Sequence, residues 1–239
     1  GMDAAQAPDQ PGDAYPLSFA QQRLWLLDQF ESGSVTYNMP FALRLKGELD
    51  RDALECALGD VIHRHDALRA YFESVDGAPV QRIRPHLAWT LPCHDLRDLA
   101  PREREAEAAR LVHEEARLPF DLQAGPLIRG SLVRLDAQEH LLLLTMHHIV
   151  SDGWSMGVLL HEVAALYASR ALGVPSPLPA LAMRYVDYAS WQREWLRGEV
   201  LAKQLDYWKQ RLAGSPELLT LPTDRPRPPV QSQRGASLP

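Results

Sequence analysis

The stretch of sequence that decides the fold is residues 141–153, LLLLTMHHIVSDG. Its first part is a short apolar run, which is typical of a strand covered on both faces. His147 and His148 follow directly, so the pattern places two imidazoles where a buried strand ends and side chains can reach a cleft. Because neighbouring strand residues point to opposite faces, one histidine can contact a substrate while the other packs in the core.

Asp152 and Gly153 close this stretch and precede a helical pattern at residues 154–172. Asp152 can be the N-cap of that helix, and Gly153 can form the turn before it. Metal binding is disfavoured, because adjacent strand histidines point apart and the chain has no His-Glu-x-x-His or paired-cysteine spacing. A serine nucleophile is also disfavoured, since no G-x-S-x-G elbow surrounds Ser151 or Ser155. We therefore expect a functional site without metal at this junction.

The composition argues against several classes of function. The chain of 239 residues has a net charge of −6 and no long basic cluster, which disfavours a nucleic-acid surface. No apolar run approaches the roughly 18 residues that a membrane span needs, and no signal peptide is evident. Cys56 and Cys93 lie far apart and outside any metal or redox spacing, so we expect two reduced, largely buried thiols. We expect a cytoplasmic protein whose partners are proteins or small molecules.

Helices and strands alternate on both sides of the decisive stretch. Helices are predicted over residues 18–30, with Ser18 as N-cap, 50–69, with Asp50 as N-cap, 102–118 and about 184–213. Strands are predicted over residues 41–49, 70–73, 80–83 and 88–93. Residues 127–135 and 139–147 are predicted to form a hairpin. The pattern indicates a mixed α/β unit.

The two ends of the chain differ in composition from the unit between them. Residues 1–14 are rich in Ala, Pro, Asp and Gln, and we predict a leader or linker there. Residues 216–239 are rich in proline, which cannot continue a helix, so we predict an extended tether. The predicted globular unit is residues 15–215.

Four stretches of the chain contain recognisable motifs. They are residues 17–30 (LSFAQQRLWLLDQF), 64–72 (RHDALRAYF), 146–160 (MHHIVSDGWSMGVLL) and 185–192 (YVDYASWQ). The first, second and fourth of these stretches resemble the first, second and fourth core motifs of the condensation domains of nonribosomal peptide synthetases, and residues 146–160 contain the HHxxxDG signature of that family. The later motifs of the family have no counterpart, so the chain resembles the N-terminal half of a two-lobed domain.

The resemblance implies a fold and a reaction. The fold is a chloramphenicol-acetyltransferase-like α/β sandwich, in which helices cover a mixed sheet and residues 216–239 cross to a missing C-terminal lobe. The reaction is amide formation between a donor acyl or peptidyl thioester and an aminoacyl thioester acceptor. Donor and acceptor peptidyl carrier proteins hold these substrates on 4'-phosphopantetheine arms, an adenylation domain is the expected neighbour, and the domain itself binds no cofactor. We expect the fragment to be inactive alone.

The resemblance also implies roles for single residues. His148, with His147 beside it, is the expected catalytic residue, as a base or as a positioner of the acceptor's amine. The N–H of Gly153 is a candidate oxyanion donor, because helix N-termini present free N–H groups. Asp152 is expected to be structural and to pair with either Arg64 or Arg69 of the second motif.

Two alternatives stay open at this point. One is an epimerization domain or a stand-alone acyltransferase, which would use the same histidine on a different thioester. The other is a non-catalytic module that recruits a partner protein, against which the intact His147-His148 pair argues. A cyclizing domain is disfavoured, because that subgroup replaces the paired histidines with aspartates.

Overall fold

A computed structural model describes residues 13–226, 228 and 229 of the chain. Its elements, in chain order, are β1 (Ala14–Pro16), α1 (Phe19–Phe30), β2 (Asn38–Lys46), α2 (Arg51–Arg64), a 3-10 turn (Asp66–Arg69), β3 (Ala70–Val75), β4 (Ala78–Ile83), β5 (Cys93–Asp95), α3 (Pro101–Arg117), β6 (Ile128–Asp136), β7 (Glu139–His147), α4 (Gly153–Leu172), α5 (Tyr185–Trp195) and α6 (Gly198–Leu212). The described residues up to Arg193 form a first compact unit, and those from Glu194 form a second.

The main sheet of the first unit has four strands in the order β2-β7-β6-β5. β7 pairs antiparallel with both β2 and β6, whereas β5 is parallel to β6. Leu142, Leu144 and Met146 pack with α2 and α4 in one core, while Leu141 and Leu143 pack with α3 in another. The apolar run is therefore a strand with helices on both faces, and the predicted mixed α/β sandwich is confirmed.

A second, antiparallel sheet has the order β1-β4-β3 and encloses a separate core. Leu17, Phe72, Phe120 and Leu127 meet there with Ile149, which comes from the turn after β7. Residue 14, which was predicted to belong to the leader, lies in β1 and pairs with β4. Its composition did not indicate this, because strand pairing uses the backbone N–H and C=O groups that every stretch of chain has. Residues 1–12 of that leader lie outside the described residues, as do residues 227 and 230–239 of the predicted crossover.

Three further predictions need correction. The helix predicted over residues 184–213 is two helices, α5 and α6, because the helical backbone is interrupted after Trp195 and Gly198 has a positive φ of 52°. The strand predicted over residues 88–93 is wrong for residues 88–92, since the short edge strand β5 begins only at Cys93. Cys56 and Cys93 are exposed, not buried, because one lies on the outer side of α2 and the other on the edge strand.

The predicted N-caps are confirmed, and they set where three helices begin. Ser18 forms a capping box with Gln21, since its side chain accepts from the Gln21 N–H and the Gln21 side chain accepts from the Ser18 N–H. Asp50 caps α2, and Asp152 caps α4. Residues of the starts of α1 and α4 line one cavity together with the end of β7, where the functional site lies.

Candidate active site

The candidate active site is the turn that joins β7 to α4. His147 is the last residue of β7, and its partner in β2 is Asn38. The His148 N–H donates to the Tyr37 carbonyl at 2.9 Å, and the Val150 N–H donates to the His147 carbonyl at 3.1 Å. These backbone bonds hold the turn against the sheet, so the two histidines have defined and different surroundings.

The ring of His148 is exposed and lines a cavity. Its Nδ1 lies 2.7 Å from the carbonyl oxygen of Ser151. Because a carbonyl oxygen can only accept, Nδ1 carries the proton of this hydrogen bond, and in the neutral ring Nε2 keeps its lone pair. His148 therefore offers a proton acceptor at Nε2, in an orientation set by the turn itself.

The ring of His147 is only 3% exposed and packs against Tyr37 and Phe120, with centroids 6.3 and 6.1 Å away. Its Nδ1 accepts a hydrogen bond of 3.1 Å from the Ile149 N–H. Burial, and then the neighbouring His148, lower the pKa of His147 to about 4. The ring is therefore neutral at pH 7. A direct catalytic role for His147 is not supported, because it is packed in the interior and holds the turn.

Asp152 has a structural role, but through a different partner from the predicted one. Its Oδ1 accepts from the Ser155 N–H at 2.8 Å and from the Ser155 hydroxyl at 2.6 Å. These hydrogen bonds lower the pKa of the Asp152 carboxyl. The predicted ion pair with Arg64 or Arg69 is wrong, because the carboxylate is used to cap α4 and both arginines have other acceptors.

The two arginines hold the end of α2 in place. Arg64 Nε donates to Glu162 of α4 at 3.1 Å, and the other oxygen of Glu162 lies 2.6 Å from His65 Nε2. Arg69 donates to the backbone carbonyls of Ile62 and His63 at the end of α2 and to that of Arg84, which follows β4. Sequence reasoning missed Glu162, although an acid within the buried stripe of a helix was a usable signal.

The side-chain amides of Gln21 and Gln81 are buried and support the turn after β7. This pair was not identified from the sequence either. Gln21 Nε2 donates to Gln81 Oε1 at 3.2 Å and lies 3.5 Å from the Ile149 carbonyl, next to His148. Gln81 Nε2 donates in turn to the Pro16 carbonyl at 2.8 Å. The S-x-x-Q spacing of the capping box could have drawn attention to Gln21. Its link to β4 could not have been read from sequence.

α5 attaches to the start of α1. The hydroxyl groups of Ser18 and Tyr185 are 2.9 Å apart, and Gln192 accepts from the Phe19 N–H at 3.0 Å. Arg193 Nε donates to the Leu17 carbonyl at 2.7 Å. Residues that resemble the first and fourth motifs of the family are thus in direct contact, and Tyr185 reaches the cavity at His148.

The cavity has a volume of about 570 Å³. The polar residues of the turn that line it are His148, Ser151 and Asp152, and Ser155 of the first turn of α4 lies beside them. Trp154 also lines it and is 85% exposed. The rest of the lining comes from α1, the end of α2 with the 3-10 turn after it, the end of β7, α4, α5 and the segment that leads into α5. A substrate group that enters the cavity can therefore contact Nε2 of His148 and an extended apolar surface at the same time.

Gly153 is the first residue of α4 and is exposed. Its N–H belongs to the first turn of the helix, where N–H groups have no acceptor in the helix itself. A Cβ at this position would meet nothing within 4 Å. The backbone there is open to an incoming oxyanion, although Gly153 is not among the described residues that line the cavity.

The site residues provide acid–base groups and a helix N-terminus. Within residues 13–226, 228 and 229, no three His, Cys, Asp or Glu side chains are grouped so that they could hold a metal ion. No helix of that described part is long and apolar enough to cross a membrane. The chemistry that the arrangement supports directly is acceptance of a proton or hydrogen bond by His148.

Comparison with known proteins places the chain in a family. The sequence model of the condensation domain family matches residues 12–238. A linear gramicidin synthase of Brevibacillus parabrevis is 50% identical over 240 residues, which is 99% of this chain and 3% of that relative. The chain thus spans a small fraction of the length of such a synthetase.

Two solved structures extend the comparison. The X-domain in its complex with OxyB from teicoplanin biosynthesis has a TM-score of 0.79 and 34% identity, over 95% of this chain and 49% of that one. A starter condensation domain of rhizomide synthetase, in complex with C8-CoA and Leu-SNAC, has a TM-score of 0.81 and 26% identity. The match covers 90% of this chain and 48% of that one. The resemblance predicted from the four motifs is confirmed: the chain belongs to the condensation domain family.

Proposed function

We propose that residues 15–215 are the N-terminal lobe of a condensation domain that forms an amide bond in nonribosomal peptide synthesis. Residues 216–239 would then be the crossover to a second lobe. The observation that carries the proposal is the orientation of His148, whose Nδ1 is hydrogen-bonded to Ser151 and whose ring lines the cavity. Membership of the family and 50% identity to a peptide synthetase support the reaction class.

The reaction joins two thioesters. The α-amine of the acceptor attacks the carbonyl carbon of the donor thioester, a C–N bond forms and the C–S bond breaks. The amine loses one proton, and the donor's thiol leaves with one, so His148 Nε2 needs only to accept the proton and pass it on. The oxyanion that forms on the attacked carbonyl would be stabilised by the Gly153 N–H at the start of α4.

The role of His148 is mainly to position the amine. An α-amine has a pKa near 8, so part of it is neutral at pH 7 without any help. General-base catalysis contributes roughly 10²- to 10⁴-fold, whereas the alignment of two reactants can contribute more. A hydrogen bond to Nε2 would hold the amine in line with the thioester, and proton transfer would follow the attack.

The proposed partners are donor and acceptor peptidyl carrier proteins and an adjacent adenylation domain. The carriers would present their substrates on 4'-phosphopantetheine arms, which are part of the substrates and not a cofactor of this domain. The proposed location is the cytoplasm. Support comes from the relatives, which are synthetases far longer than this chain.

The experiment that tests the proposal uses the complete two-lobed protein. It is mixed with a loaded donor carrier and a loaded acceptor carrier, and carrier-bound dipeptide is measured by mass spectrometry. Dipeptide on the acceptor carrier supports the proposal. If the acceptor keeps a single amino acid whose α-carbon is inverted, as chiral analysis would show, the protein is an epimerization domain and the proposal fails.

A second candidate function is recruitment of a partner protein. The specific observation is the fold similarity to the X-domain that was solved in complex with OxyB. The same dipeptide assay separates the two functions, because a recruiting module forms no amide with any pair of carriers. We favour catalysis, because the His147-His148 pair is intact and His148 lines a cavity.

A further inference from the structure

We propose that the cavity beside His148 selects a substrate acyl group with an uncharged, apolar side chain. The inference rests on the proposed function, because it takes the acyl group of a thioester substrate as the ligand. It goes further by naming the side-chain chemistry that the site accepts. Three observations carry it: the apolar lining, the internal partners of His65, Asp152 and Arg184, and the volume of the cavity.

The cavity is apolar on several sides. The residues that contribute aliphatic side chains lie on four elements and on the segment before α5: Leu24, Val61, Met146, Leu159, Leu181 and Met183. Burial of an apolar side chain against such a wall is favourable in proportion to the area removed from water. The turn that carries His148 lines the same cavity, so a reacting group at Nε2 has this wall beside it.

Three of the ionisable residues that line the cavity, His65, Asp152 and Arg184, have side-chain partners within the protein. His65 contacts the buried carboxylate of Glu162, and Asp152 accepts from Ser155. Arg184 donates to Asp187 through two nitrogens. A charged substrate side chain would lose its water in the cavity and would have to compete with these pairs for a counter-charge.

Among charged ligands, one with a basic side chain is the strongest alternative to an apolar ligand, because of Asp66. This residue lines the cavity and is buried, and one of its carboxylate oxygens has no hydrogen-bond partner among the described residues. Burial raises the pKa of the carboxyl, and backbone N–H groups of Tyr185 and Ala67 act on it in the opposite direction. Asp66 is thus held at the start of α5, and the test must include a basic ligand.

The volume suits a large apolar group. At about 570 Å³ the cavity falls in the range of roughly 300–1,000 Å³ that is usual for small-molecule sites. That space accepts a branched aliphatic or an aromatic side chain together with the backbone of an amino acid. A small or charged side chain would leave much of the apolar wall in contact with water.

The test measures binding to this chain itself. The probes are pantetheine amides of leucine, ornithine and aspartate, in which an amide replaces the reactive thioester. We expect the leucyl probe to bind about tenfold or more tightly than the other two in calorimetric titration. Each probe is used with a free α-amine, as in an acceptor, and with an N-acetylated amine, as in a donor. In both forms the leucyl probe should bind most tightly of the three.

A matched pair of variants ties the binding to the cavity. Leu181 lines it and is 39% exposed, so Leu181→Asp adds a charge to the wall without disturbing a packed core. Leu172 is 75% exposed at the end of α4 and does not line it, so Leu172→Asp is the control. We expect Leu181→Asp to weaken leucyl binding about tenfold and Leu172→Asp to leave it unchanged. Thermal unfolding confirms that both variants fold.

Several outcomes would overturn the inference. These are equal affinities for the three probes, tighter binding of the ornithyl or aspartyl probe, no binding of any probe at millimolar concentration, or equal effects of the two variants. None of them decides whether the complete domain forms an amide. Conversely, a failed dipeptide assay leaves the binding preference of the cavity intact, so the two failures are distinguishable.

Discussion

Two adjacent histidines, His147 and His148, have unlike surroundings at the scale of single residues. The ring of His147 is buried between aromatic neighbours and accepts from a backbone N–H, whereas the ring of His148 is exposed and donates to a backbone carbonyl. The alternation of strand side chains leads to this difference, since one step along the chain moves a ring from the interior to the cavity. The first ring therefore supports the turn, and the second is available to substrate.

The first prediction concerns His148 in the complete two-lobed protein. His148→Ala should lower dipeptide formation by about two orders of magnitude or more, because the hydrogen-bonding partner of the amine is lost. The melting temperature should stay close to that of the unmodified protein, since the ring is exposed. His161→Ala, at an exposed histidine of α4, is the control and should keep full activity. Normal product formation by His148→Ala would remove His148 from the mechanism.

The second prediction concerns the pH dependence of stability at His147. Its pKa is about 4 in the folded protein and about 6.5 in the unfolded chain, so between these values the unfolded chain binds more protons. Stability therefore falls as the pH is lowered through this window. The ring should account for a loss of about 2 kcal/mol between pH 7 and pH 5, measured by urea unfolding.

A variant isolates the contribution of His147. His147→Asn keeps an acceptor for the Ile149 N–H but does not titrate, so its stability should depend less on pH in this window. His161→Asn, at an exposed histidine, is the control and should keep the full pH dependence of stability. Burial also lowers the pKa of His140, so His140 contributes to the pH dependence in both variants. An unchanged pH slope in His147→Asn would refute the assignment.

That the two rings have different surroundings could be predicted from sequence, because neighbouring residues at a strand end point to opposite sides. The partners of Asp152, Arg64 and Arg69 could not. Which of several nearby carboxylates and carbonyls an arginine contacts depends on how α2 and α4 lie together, and the local pattern contains no information on that. The N-cap alternative for Asp152 was local, and it was the correct one.

At the scale of elements, a third prediction separates a helix cap from an ion pair. Asp152→Ala should lower the free energy of unfolding by about 1 kcal/mol, because it removes the cap of α4. Asp50→Ala, which removes the equivalent cap of α2, should cost a similar amount. A loss of about 3–5 kcal/mol at Asp152 alone, in chemical denaturation, would show a buried ion pair instead.

The fourth prediction uses two glycines with opposite surroundings. A Cβ on Gly130 of β6 would lie 2.9 Å from Leu144 and 3.2 Å from the Trp89 ring, so Gly130→Ala should destabilise by about 1–3 kcal/mol. A Cβ on Gly157 of α4 would meet nothing within 4 Å, so Gly157→Ala should stabilise by about 0.5–1 kcal/mol. Equal melting temperatures for the two variants would contradict the packing at Trp89.

Elements with a strong local signal were predicted well, and those fixed by distant contacts were not. The β6–β7 hairpin and the starts of α1, α2 and α4 follow from alternation and capping residues. β1 has only three residues and exists through its pairing with β4, so its sequence has no period to detect. The break before α6 depends on a single glycine with positive φ, which an otherwise helical pattern conceals.

At the scale of the whole molecule, a fifth prediction is that this chain forms no dipeptide by itself. In the proposed function His148 lies on one of two lobes, and the alignment of two thioesters, the larger contribution to the rate, would need the second lobe as well. The chain should be mixed with loaded donor and acceptor carriers and the product measured by mass spectrometry. A rate near that of the complete domain would show that one lobe suffices.

The contacts between α1 and α5 have a consequence for the order of events during synthesis on the ribosome. Ser18 and Tyr185 are 167 residues apart, and Leu17 and Arg193 are 176 apart. At roughly 5–20 residues per second, α1 waits on the order of ten seconds or more for its last partner to be translated. The capping box of α1 is local and needs no such partner, so the helix can form early. Its contacts with α5 are complete only when translation has passed Arg193, and a chain released sooner would emerge with its first helix made and these last contacts missing.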